Sequence, residues 1–95
     1  MIEVKIRPGE IQITGHSGYA AEGKDIVCAG VSALFQTMIK SIGNLAGEMI
    51  EYDLRPGKSY MRYRNPSDIS KVLVDSFIIG VALIANEYPD NVKTV

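Results

Sequence analysis

Two copies of one turn set the frame for this chain: "IRPGEI" at Ile6–Ile11 and "LRPGKS" at Leu54–Ser59. In each, proline fixes φ at the first central position and glycine accepts the positive φ of the second, the chemistry of a type II turn. Period-two segments flank the first turn. Ile2, Val4 and Ile6 alternate with Glu3, Lys5 and Arg7, and Ile11 and Ile13 alternate with Gln12 and Thr14. The second pair, "MIEYDLR" and "KSYMRYR", is more polar, with Tyr60, Arg62 and Arg64 on one side and Met61 and Tyr63 on the other. A chain written this way is committed to two β-hairpins.

A helical pattern follows each hairpin. Val27, Val31, Leu34, Met38, Ile42 and Leu45 recur at spacings of three and four, one stripe on a helix. Asp25 is placed to cap its N-terminus, and Gly43 or Gly47 to end it. The second helix starts near "NPSDISKV", where Ser67 or Asp68 can cap, and stops before Pro89. Val72, the run Phe77–Ala85 and Tyr88 give it an apolar girth wider than one face. Such a helix is covered on more than one side, by the sheet and first helix or by a second copy of the chain. The expected fold is α+β: two hairpin–helix units forming an antiparallel sheet, with both helices packed on one face. Residues 1–95 are one domain with a weak repeat, about 1–47 and 48–95, and "NVKTV" is a candidate short last strand.

Composition narrows the function classes. With 46% apolar residues the chain is globular rather than disordered. The lone cysteine cannot form an internal disulfide, so nothing requires an oxidising compartment. The opening "MIEVKIRPGE" reads as a strand, not an apolar signal segment. The longest apolar run, Phe77–Ala85, is nine residues, far short of the roughly 20 that cross a bilayer. The expectation is a soluble, cytoplasmic chain with no membrane segment. Net charge is −1, which lends no support to direct nucleic-acid binding.

The only histidine and the only cysteine lie twelve residues apart, in "GHSGYAAEGKDIVCAG". If Asp25 caps the helix, Cys28 falls in its first turn, where free N–H groups carry the positive end of the helix dipole and favour a thiolate. The charge of Asp25 opposes that effect unless its carboxylate is occupied, either in capping the helix or in orienting His16. His16 follows the end of the second strand, and the loop Ser17–Lys24 returns the chain beside it. Imidazole and thiol can therefore meet. The first-turn amides at Cys28 and its neighbours are candidate oxyanion donors. A buried, inert helical cysteine and a solvated loop histidine fit the same residues, so both readings stay open on spacing alone. One cysteine and one histidine give poor support to a metal site, and no cofactor is expected.

Two further patterns carry less. "GYAAEGKD" approaches a phosphate-binding loop, but Asp25 stands where Ser or Thr should meet magnesium, and a hairpin replaces the parallel strand unit. "KSYMRYRN" interleaves aromatics and cations, which suits RNA or a cross-strand paired surface. Arg55, Lys58, Arg62 and Arg64 make a local basic cluster there.

At "TGHSGYAAEGKDIVCAGVSAL" the sequence resembles the ribosomal-processing cysteine protease family, carrying its G-H-x…D-I-V-C-A-x-x-S arrangement. Family members usually have alanine after the histidine, and here the residue is Ser17. The resemblance implies a cytoplasmic, homodimeric cysteine endopeptidase that trims a short N-terminal extension from a large-subunit ribosomal protein precursor. It implies Cys28 as nucleophile and His16 as its acid/base partner, with Asp25 in support. The loop bearing Gly15, Ser17, Gly18, Tyr19 and Gly23 would close on an extended substrate peptide. The alternative is a non-catalytic ribosome- or RNA-associated module that uses the Tyr60–Arg64 strand.

Overall fold

A computed structural model describes all of Met1–Val95. Strands β1 (Ile2–Arg7) and β2 (Glu10–Thr14) form the first hairpin, and β3 (Glu51–Asp53) and β4 (Lys58–Arg62) the second. Gly9 and Gly57 sit at φ 77° and 75°, the left-handed conformation the two R-P-G turns demand. Helix α1 (Ile26–Ser41) follows the first hairpin and α2 (Asp68–Glu87) the second, and β5 (Val92–Thr94) closes the chain. Ser67 caps α2 through its side chain, and Tyr88 ends it just before Pro89.

The sheet has five strands in the order β3-β4-β2-β1-β5. It is mixed rather than wholly antiparallel: β5 runs parallel to β1, with Ile2 opposite Val92 and Val4 opposite Thr94. The reason is topological. A helix that crosses one face returns the chain to the end of the sheet where the preceding strand began, so the next strand repeats that strand's direction. β4 already runs parallel to β1, because both are antiparallel to β2. The strand that follows α2 inherits that sense.

Ile2, Val4, Ile11, Met61 and Val92 are buried on one sheet face, under Val27, Val31, Phe35, Met38 and Ile39 of α1 and Val74, Phe77 and Val81 of α2. Phe35 and Phe77 meet between the helices with ring centroids 5.6 Å apart. The α1 stripe keeps Val27, Val31, Met38 and Ile42 of the expected one and departs from it at Leu34 and Leu45. Phe35 and Ile39 take the core positions, Leu34 is half-buried against Gly80 of α2, and Leu45 is 68% exposed. For Leu45 the cause lies at the end of the helix, which widens into a π-turn over Ile42–Ala46 before Gly47 stops it in the left-handed conformation. That change of pitch rotates Leu45 off the inner face. Together these segments make a 21-residue helical stretch, Ile26–Ala46, long and apolar enough to cross a membrane. Counting uninterrupted apolar residues overlooked it. Its inner face supplies the sheet's core.

The opposite sheet face is polar. Arg62 pairs with Glu10 at 2.9 Å and Glu51 at 3.4 Å, and stacks 4.4 Å over the Tyr60 ring. Arg55 pairs with Asp53 at 2.8 Å. The Tyr/Arg strand thus directs its central cation at neighbouring strands. Core placement predicts that Phe35→Ala lowers stability by about 3–5 kcal/mol in urea unfolding. Leu45→Ala should change it by less than about 0.5 kcal/mol. Equal costs at the two positions would contradict the phasing of α1.

Candidate active site

The site is assembled around the start of α1. Asp25 is the N-cap, in extended conformation (φ −88°, ψ 99°), and its Oδ1 accepts N–H bonds from Val27 at 3.0 Å and Cys28 at 2.9 Å. Its Oδ2 faces the other way, into the loop. There it accepts the Ser17 hydroxyl and, at 3.3 Å, the Ala20 N–H. The carboxylate is thus fully occupied in holding helix and loop together, and His16 is not among its partners. Of the two roles open to Asp25, the structure gives it capping, and puts Ser17 where orientation of His16 was considered.

Four donors on one carboxylate favour its charged form. The Ser17 hydroxyl foremost, then the Cys28 N–H, hold Asp25 at about 2, well below an ordinary aspartate.

Cys28 is half-buried in the first turn of α1, where its position was expected. Its Sγ is met by the Ser17 N–H at 3.4 Å. The first-turn amides, by contrast, are not free to receive an oxyanion, because those of Val27 and Cys28 already donate to Asp25. The same occupancy answers the phosphate-loop pattern: the anion at this helix N-terminus is the chain's own carboxylate.

His16 is exposed, on the loop beyond β2, and its imidazole rests on the second R-P-G turn. A Cβ built at Gly57 would lie 2.9 Å from Nε2, so only glycine leaves the ring this place. The Gly15 N–H donates to the Gly57 carbonyl at 2.9 Å, stitching the histidine's neighbour to the same turn. The Met1 ammonium donates to the His16 carbonyl. Gly15, His16, Gly18, Gly23, Asp25 and Cys28 all line one open cleft of about 1030 Å³, whose far wall is Leu54–Ser59. Ser17 and Tyr19 are not part of the lining: Ser17 is buried against Asp25 and Cys28, and Tyr19 packs edge-on against Tyr88 with centroids 5.3 Å apart. Imidazole and thiol therefore face one cleft without a hydrogen bond between them.

Sequence reading missed two residues. Gly57 carried a signal, as its turn repeats the first, but nothing tied that turn to His16. Asn91 carried none. Its Nδ2 donates to the Ser17 carbonyl at 3.0 Å from the far end of the chain, a meeting that only the parallel β5 creates.

A thiol on a helical first turn and an imidazole thus line one open cleft in a small α+β hairpin–helix framework. Residues 1–93 match the family model described as cysteine protease Prp, and the chain belongs to that family. It is 27% identical over 89 residues to the ribosomal processing cysteine protease Prp of Bacillus subtilis, covering 86% of this chain and 80% of that protein. Its likeness to the Staphylococcus aureus protein of the same description is 28% over 87 residues, covering 88% and 82%. The crystal structure of an essential ribosomal processing protease Prp from S. aureus, with a covalently linked product peptide, shares the fold. Its TM-score is 0.88 at 21% identity, over 98% of this chain and 94% of that one.

The lowered Asp25 value has a pH consequence. A carboxyl whose folded value lies below its unfolded one, about 3.9, stabilises the fold above that range and loses the contribution as pH falls toward the folded value. Asp25→Asn keeps a capping oxygen but cannot titrate. Its melting temperature should therefore fall less steeply between about pH 4 and pH 2 than that of the wild type. Glu10 and Glu48, also held below the usual range by hydrogen bonds to Arg62 and Ser67, supply slope that remains. Identical slopes in the two proteins would contradict the bridging role of Asp25.

Proposed function

We propose that this chain is the endopeptidase that removes a short N-terminal extension from a large-subunit ribosomal protein in the cytoplasm, with Cys28 as nucleophile and His16 as general acid and base. The observation that carries the reading is the pairing of the chain's only thiol and only imidazole on one peptide-sized cleft. Membership of the Prp family and the processing activity of its named relatives support the substrate.

The chemistry follows from these groups. Substrate brings the imidazole off Gly57 toward Sγ, and His16 takes the thiol proton. The thiolate attacks the scissile carbonyl and forms a C–S bond. The C–N bond then breaks, and the imidazolium gives its proton to the departing amine. Water, deprotonated by the same imidazole, attacks the thioester and frees the carboxylic acid and the thiolate. Apo catalytic pairs are often separated until substrate arrives, which suits the gap between His16 and Cys28. Cys28→Ala and His16→Ala should each reduce cleavage of the extended precursor by at least about 10³-fold, followed by mass spectrometry. Full activity in either variant would contradict the assignment, and Arg62→Ala should retain activity.

We assign a homodimer to the working enzyme. In one chain α2 is covered only on its inner side. Ile69, Val72, Ile79 and Leu83 form an outer stripe, with Ile79 64% and Leu83 67% exposed. A second copy of the same stripe is its natural cover. Sedimentation should report twice the 10.4 kDa chain mass, and Ile79→Glu with Leu83→Glu should halve it. A wild-type monomer at every concentration would remove the dimer.

A further inference from the structure

Ser17 is one of two buried polar residues in the protein, 2% exposed, and every polar group it owns is spoken for. Its hydroxyl donates to Asp25 Oδ2 and accepts the Tyr19 N–H at 3.2 Å. Its carbonyl accepts from Asn91 Nδ2 at 3.0 Å. Its own N–H points at Cys28 Sγ, 3.4 Å away. One peptide is thus fixed from three directions: the helix cap, its own loop and the chain's last connection. What is left over is a donor aimed at sulfur.

The first-turn amides that ordinarily serve a helix-borne cysteine are engaged by Asp25. When a carbonyl carbon bonds to Sγ, its π pair moves onto oxygen, and that oxygen lies one bond beyond the carbon. A donor already held near Sγ is within reach of it. We propose that the backbone N–H of Ser17 is a catalytic donor for the reaction: the Ser17 hydroxyl on Asp25 and carbonyl on Asn91 hold that N–H at Cys28 Sγ, where it serves the thiolate before attack and the oxyanion after it. This rests on the protease reading and adds the origin of the oxyanion donor.

The role separates from a purely structural one by where the loss falls. A donor used mainly in the transition state changes kcat and the affinity for a tetrahedral adduct while leaving KM nearly alone. Asn91→Ala removes the tie at the carbonyl without touching the buried hydroxyl, and Ser17→Ala removes the tie to Asp25 while installing the alanine family members usually carry, so it reads how far this chain's loop depends on its own hydroxyl. Each loosens the aim of the N–H and keeps the N–H itself, so the expected loss is smaller than deletion of a donor. The prediction is a fall in kcat of about tenfold, with KM within about twofold.

The probe for the adduct is a peptide aldehyde carrying the extension released in the wild-type digest. Sγ adds to its carbonyl to give a hemithioacetal, and its affinity should weaken by the same factor as kcat. Unchanged kcat and aldehyde affinity in a folded Ser17→Ala would overturn the proposal. Should that variant fail to fold, the same null result in Asn91→Ala overturns it. A loss confined to KM also does so. A wild-type chain that neither cleaves the precursor nor binds the aldehyde removes the protease reading, a result distinct from variants that match an active wild type.

Discussion

The structure depends on one carboxylate that looks in two directions. Asp25 ends the loop and begins the helix, with one oxygen on the first-turn amides and the other on Ser17. Helix N-termini need acceptors because their leading N–H groups have no partner within the helix. Here the acceptor also ties down a loop of otherwise permissive backbone, with Gly15, Gly18 and Gly23 at φ 88°, 69° and 83°. Without that tie, nothing local would hold Ser17 against Cys28.

The arrangement divides the electrostatic labour around the thiol. A helix dipole favours negative charge at its first turn, and a neighbouring carboxylate disfavours a second one. The two act in the same few ångströms. Hydrogen bonds from Ser17, Ala20, Val27 and Cys28 disperse the charge of Asp25 over both halves of the site. The amide that remains for Sγ comes from the loop rather than from the helix, so the surroundings of the thiol are governed by tertiary contacts. One of them, Asn91, reaches in from beside β5. The other half of the site is set by the second hairpin, whose Gly57 gives the imidazole its resting place. The internal repeat thus has a division of roles: the first hairpin–helix unit carries thiol and imidazole, and the second shapes the opposite wall.

Local signals in the sequence were read correctly where the physics is local. The R-P-G turns, the Asp25 and Ser67 caps and the stop before Pro89 each depend on a few adjacent residues. Phase and pairing were less accessible. The π-turn at Ile42–Ala46 shifts a stripe that regular periodicity continues through Leu45, and no residue there announces the change. β5 has three residues, and its parallel sense follows from the path of α2 rather than from composition. In the site, spacing placed Cys28 and His16 near one another and named Asp25, but gave it two alternatives and took first-turn amides as free. Distinguishing those outcomes required knowing that Ser17 turns inward, which Asn91, 74 residues away, helps decide.

The central claim is that bond cleavage passes through the sulfur of Cys28. It is tested most directly by quenching the wild-type protein in acid during turnover of the extended ribosomal precursor, then mapping its mass. The account predicts a transient adduct on the peptide that contains Cys28, equal to the released extension less one water. Cleavage at full rate with the adduct on another residue would contradict it.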